Sequence, residues 1–319
     1  MTDNEQYTDP AEIRHRIGAN GVFSLGNVSG DIRLRGTDTD EVIAIARSDH
    51  GRSDKLPLVV RRSEGSLSIE IDQRGPLPFG LGWRGVPGVD FEITVPRGAR
   101  VDVNSVSSDI DVTGLVGEQS YKTVSGDLQV MNVGGRLSLT SVSGDIEVGA
   151  SEPIEADVSS TSGDLDVSGP VLRAMRLRTV SGDIEIRGAF DTGAQHNVET
   201  VSGDVEIEST TGLTVEVRKG IDLGGGPKQR VVGDGAARLR FRSLSGDLHV
   251  AGSSPEKGVK DVPYTPFTPP APPTPPAAPA PFAQERQAAD SLEILRALER
   301  GEIDIEEASR RLEGSNSRG

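Results

Sequence analysis

Six aspartates, Asp109, Asp127, Asp145, Asp164, Asp183 and Asp204, recur along this chain at steps of 18 to 21 residues. Carboxylates stacked so regularly permit two kinds of chemistry. Cations, calcium foremost, bridge such oxygens when several converge on one ion. Alternatively, each carboxylate accepts backbone N–H bonds where the chain turns a corner, helped by the serine two places before it. The Gly-Gly-x-Gly-x-Asp spacing of calcium-binding β-rolls is absent. That favours the corner reading, and neither a metal nor a cofactor is expected.

Other chemistry finds little support. His15, His50, His196 and His249 share no spacing, and there is no cysteine to join them at a metal. Serines are abundant, but no G-x-S-x-G nucleophile elbow stands between a strand and a helix. GLGWRG at 80–85 has glycine spacing suited to a phosphate loop, yet Pro87 and Gly88 prevent a helix from opening there. GGGPK at 224–228 lacks the GK[ST] ending of a P-loop. Trp83 is the single tryptophan, which leaves a sugar cleft without aromatic platforms. A non-enzymatic protein is expected.

The aspartates belong to a longer phrase. It reads VSGDI at 28–32, VSSDI at 106–110, VSGDL at 124–128, VSGDI at 142–146, TSGDL at 161–165, VSGDI at 180–184, VSGDV at 201–205 and LSGDL at 244–248. The corner residues are Gly30 with Asp31, Asp109 (beside Ser108 rather than glycine), Gly126 with Asp127, and Gly144 with Asp145. They continue as Gly163 with Asp164, Gly182 with Asp183, Gly203 with Asp204 and Gly246 with Asp247. Around each corner apolar and polar residues alternate, as Leu137, Leu139, Ile146 and Val148 do in LSLTSVSGDIEVG, which is the pattern of half-buried strands. A period near 20 residues means identical units that bury their apolar faces only by stacking. The reading is therefore all-β: a single-column parallel β-solenoid of about seven to nine coils, roughly 35 to 45 Å long at about 4.8 Å per coil. The gap from 201 to 244 spans about two steps and implies one degenerate coil.

Boundaries follow from composition. Residues 1–14 read as a disordered N-terminus and 15–252 as the solenoid, with the strands of 37–95 as its N-terminal cap. The stretch 253–285 reads as a Pro-rich linker, since proline lacks an N–H donor and restricts its neighbour. In 286–314, Leu292, Leu295 and Leu298 have helical spacing and Gly301 closes a helix. Ile303 and Ile305 follow, and Asp304 with Glu307 opens a second helix whose apolar face carries Ala308 and Leu312. This interaction hairpin is expected to hold a protein partner or a second copy, and 315–319 is a disordered tail.

The net charge of −15 argues against nucleic acid and anionic membranes. No secretory signal and no apolar run of membrane-spanning length are visible, so a cytoplasmic location without direct membrane insertion is expected.

GVFSLGNVSGDIRLRG, EVIAIA and VDFEITVPRGARVDV, followed by the serial VSGDI units, are together similar to the bacterial putative adhesins, domain of unknown function 4097. The likeness spans about residues 20 to 250. It implies a β-solenoid with no catalytic residues to carry over, and an adhesin-like binding role with possible cell-surface or envelope association. The tail LEILRALERGEIDIEEASRRLEG resembles the SHOCT-like hairpins of bacterial envelope-stress proteins, though there the hairpin often comes first. Together these imply a binding or scaffold protein in the cell-envelope stress response. Two alternatives stand beside it: a self-assembling β-helical polymer, motivated by a last coil at 244–250 with no evident cap, and a cation-dependent polysaccharide-acting enzyme.

Overall fold

The computed structural model describes residues 2–3, 7–48, 55–72, 88–220, 228–252 and 260–262. The chain divides into two units, Met1–Thr265 and Pro266–Gly319, and every described residue lies in the first. The residues of the expected hairpin, from Leu292 to Leu312, therefore lie outside the described residues, as does the proline-rich run 263–282.

Every regular element among the described residues is a strand. Each copy of the phrase marks the corner between two strands, and equivalent strands of neighbouring coils pair in parallel. On the side before the corner, Leu25, Val103, Tyr121, Leu139, Val158, Leu177, Val198, Phe241 and Val217 form one continuous stack. Beyond the corner, Ile32, Ile110, Leu128, Ile146, Leu165, Ile184, Val205 and Leu248 form another. All of these side chains are buried. Alternation in sequence thus becomes two inward-facing columns, each rung worth about 1.5–3 kcal/mol of apolar burial.

The far corner of each coil is looser. The strands Leu128–Thr140 and Ile146–Ser159 run through it, with breaks in register around Met131, Val133 and Gly135. Asn132, at φ 55°, and Gly135, at φ 81°, supply the left-handed backbone that this bend requires.

Two expected boundaries move, and so does the expected order of the last coils. Ala11–Arg16, its first four residues assigned to a disordered N-terminus ending at 14, is a strand paired antiparallel with Glu41–Ser48. Its Ala11 and Ile13 enter the core, so apolar burial holds it in place. At the other end Lys260–Val262, assigned to the linker, pairs antiparallel with Lys228–Val232.

The third correction concerns order in the gap between 201 and 244: its irregular coil stacks outside the 244 copy instead of between the 201 and 244 copies. Ala237–Ser243 lies directly on Gln195–Ser202, and Leu248–Gly252 lies directly on Val205–Ser209. The intervening chain passes beyond them: Leu213–Lys219 pairs parallel with the outer edge of Ala237–Ser243, and Lys228–Val232 returns antiparallel to it. The last coil is inserted between its predecessor and this cap, so the end expected to be open is covered on that face. The N-terminal end repeats the device. Val22–Gly26 and Ile32–Thr37 sit against Arg100–Asn104 and Ile110–Thr113, while Val89–Pro96 and Ser66–Ile71 cover their outer edges, as the capping reading of 37–95 anticipated. Covering the end strands satisfies backbone groups that would otherwise template pairing with another chain.

Candidate functional site

The corner residues are the natural starting point, and the structure gives them building work. From Asp109 to Asp204, each aspartate carboxylate accepts the backbone N–H of the aspartate one coil further on. Asp109 Oδ1 accepts from Asp127 at 3.0 Å, Asp127 from Asp145 at 2.9 Å, and Asp145 from Asp164 at 2.9 Å. Asp164 accepts from Asp183 at 2.8 Å, Asp183 from Asp204 at 2.7 Å, and Asp204 from Asp247 at 2.7 Å. The final bond spans the long sequence gap, which independently places the 244 copy next to the 201 copy. The remaining carboxylate oxygens face water, where repulsion between neighbouring rungs is about 1 kcal/mol or less. Among the described residues no group of three or more His, Cys, Asp or Glu is arranged to hold a metal ion.

The glycines are required twice over at these corners. Gly144 has φ +124°, and a Cβ there would lie 2.3 Å from the carbonyl oxygen of Gly126. The same clash recurs along the column, as at Gly203, where a Cβ would meet Gly182 O at 2.1 Å. The motif serines pair through their backbones, Ser29, Ser107, Ser125, Ser143, Ser162 and Ser181 forming successive parallel bridges.

Two features of the phrase escape a reading of the sequence. The residue before the leading valine is buried and polar: Asn27, Ser105, Thr123, Ser141, Ser160, Thr179, Thr200 and Ser243. Thr123, Ser160, Thr179, Thr200 and Ser243 donate their hydroxyls to the motif serine carbonyl two residues on, at 2.8 to 3.2 Å. These bonds satisfy carbonyls at a turn that leaves the ladder. The signal was present as a recurring Ser/Thr, hidden among many other serines. The leading valine, by contrast, is half exposed: Val106, Val124, Val142, Val180, Val201 and Leu244 form an outward apolar strip.

The ladder ends on groups outside the phrase. At its N-terminal side Asp90 Oδ1 accepts the Asp31 N–H at 2.9 Å, the part a motif aspartate plays elsewhere. At its C-terminal side Lys219 Nζ donates to Asp247 Oδ1 at 2.7 Å. This hydrogen bond and the lysine charge hold the Asp247 carboxyl below the usual range.

Lys219 also borders a groove of about 890 Å³, formed where the C-terminal cap meets the last coils. Its apolar part is Val180, Val201 and Leu244 with Val217, and Arg178, Arg218, Lys219, Lys228, Arg230 and Arg242 supply positive charge. Glu199 is the one carboxylate among the lining residues, lying 3.5 Å from Arg178 and 3.7 Å from Arg242. Arg218 pairs with the buried Glu216 at 3.0 Å, and Arg230 donates to the Leu248 carbonyl at 2.6 Å across the edge of the last strand. A second, shallower depression over Asp145, Glu147, Asp164, Asp166, Asp183 and Glu185 has the opposite sign.

The histidines do not converge. His15 Nε2 lies 2.8 Å from the Ser63 carbonyl, His249 is exposed on the last coil, and His50 lies outside the described residues. His196 is wholly buried opposite Leu239, with Nε2 3.0 Å from the Asp191 carbonyl and its ring edge-on to Phe190. Burial holds its pKa below the ordinary histidine value. GLGWRG at 80–85 lies outside the described residues, as does all of GGGPK except Lys228, which joins the groove.

Comparison with curated proteins gives no match. Among solved structures, the chain is similar to a putative adhesin from Bacteroides fragilis, at 12% identity over 77% of this chain and 98% of that one, with a TM-score of 0.36. It is also similar to a putative cell adhesion protein from Clostridium sporogenes, at 12% identity over 76% and 100% of the two chains, with a TM-score of 0.25. The Toastrack DUF4097 family model matches residues 23–225, more than half of the chain and most of its coils, and the chain belongs to that family.

Proposed function

We propose that this chain is a non-enzymatic binding protein, in which the stacked coils are the scaffold and the groove beside the C-terminal cap is the recognition site. The observation that carries this reading is the groove itself. It gathers six basic side chains around three exposed apolar rungs in a chain whose net charge is −15. The repeated aspartates are already engaged in joining one coil to the next. An adhesin-like or scaffolding role at the cell envelope, with a protein partner or a second copy held through residues 286–314, is the setting proposed for it.

Site-specific photo-cross-linking in cells of the native host tests the assignment. A photoreactive residue replaces Val201 in the groove or Val124 on the same strip outside it. A defined adduct at position 201 and none at 124 is the expected result. Equal labelling at both, or none at either, would remove the groove as the recognition site.

A further inference from the structure

We infer that the groove takes an anionic amphiphile, a molecule with a carboxylate or phosphate head and an apolar tail. The inference deepens the binding role proposed above and rests on it for the location of the site. The head is assigned by charge. Among the described residues, six bases line the groove against one lining carboxylate, Glu199, so its lining is predominantly positive. Four of the six are arginines, whose planar guanidinium groups match carboxylate and phosphate oxygens.

The tail is assigned by the rungs. Val180, Val201 and Leu244 are 49%, 44% and 56% exposed, and their coils are consecutive in the stack. At about 4.8 Å per coil they make an apolar strip of roughly 10 Å. The exposed Val106, Val124 and Val142 of earlier coils are not among the residues that line this groove. Among the described residues, the C-terminal end brings a wall, a cation cluster and the strip together. A volume of about 890 Å³ lies within the range of small-molecule sites, roughly 300–1,000 Å³.

Titration calorimetry on the full chain tests the proposal with four probes: decyl phosphate, decanoate, inorganic phosphate and decyltrimethylammonium, each below its micelle concentration. Saturable binding of one or both decyl anions is expected, with inorganic phosphate weaker and the decyl cation silent. The two anions separate a phosphate from a carboxylate preference. Arg178→Gln with Arg242→Gln is expected to weaken the preferred anion about tenfold. Glu199→Gln is expected to tighten it, because the competing carboxylate is gone, and Leu244→Ser to weaken the decyl anions without affecting inorganic phosphate. Equal binding of decyl anion and decyl cation would overturn the proposal, as would affinity indifferent to the three groove variants. Specific cross-linking at Val201 with no response to either anion would overturn this ligand class while leaving the binding role standing.

Discussion

The corner ladder and the groove use the same phrase for opposite ends. In the middle coils each aspartate is tied to the next coil, and buried hydroxyls such as that of Thr123 close the turn of their own coil. At the C-terminal end the phrases at 180, 201 and 244 still stack, but a cap rises beside them and their leading Val180, Val201 and Leu244 become one wall of a cleft. Lys219 belongs to both regions, ending the aspartate ladder and lining the groove. Repetition therefore supplies rigidity, and the departure from repetition supplies a site. A substitution in the first region is expected to cost stability, and one in the second to cost binding.

The largest effect is expected from Gly144→Val. Positive φ and a carbonyl 2.3 Å from the new Cβ give a loss of about 3–5 kcal/mol, read as a fall in the urea midpoint. Gly220, at the rim of the groove, has φ +72° but, among the described residues, nothing within 4 Å of a Cβ, so Gly220→Ala is expected to cost only about 1 kcal/mol. Equal losses at the two positions would erase the distinction between column and groove.

Next is acid sensitivity from within the column. His196 is held neutral by burial, with its folded pKa depressed, so the unfolded chain takes up a proton more readily than the folded one. Its contribution is complete above the unfolded value of about 6.5 and is lost as pH falls below it, by at most about 1.4 kcal/mol per pH unit. His196→Gln should flatten that slope in urea titrations compared between pH 7.5 and 5. An unchanged slope would place the acid sensitivity elsewhere.

A smaller effect separates hydrogen bonding from charge in the ladder. Asp145→Ala removes the acceptor for the Asp164 N–H and is expected to cost about 1 kcal/mol. Asp145→Asn keeps an oxygen and is expected to stay within about 0.5 kcal/mol of the parent, with the melt indifferent to EDTA. A large loss in the asparagine variant, or a chelator-dependent melt, would restore the cation-bridged reading. The smallest effect is expected from Arg242→Gln, since its pair with Glu199 is long, at 3.7 Å, and solvent-exposed: less than about 0.5 kcal/mol in stability. A measurable drop in melting temperature would assign that arginine to the scaffold.

Much of the column was legible because its chemistry is local and repeated. A glycine at every corner reports a positive φ, and alternation around it reports which side chains face inward. The corner reading of the aspartates also follows from spacing, since one carboxylate per coil meets one N–H per coil. The buried Thr123 and its equivalents were obscured because a serine or threonine has many uses in a turn, and only the fold shows which hydroxyl is enclosed.

The sequence by itself determined the coil: its length, its corner, its inward columns and the register that brings Asp127 over Asp109. Those are properties of short segments and of a period. Only the tertiary structure decided the order of the coils and the nature of the ends. Distance along the chain cannot reveal that Ala237–Ser243 slips between Gln195–Ser202 and Leu213–Lys219, because strand insertion is a long-range choice made by edges seeking partners. The groove arises from that choice, its basic residues drawn from 178, 218, 219, 228, 230 and 242 and brought together by the stacking alone.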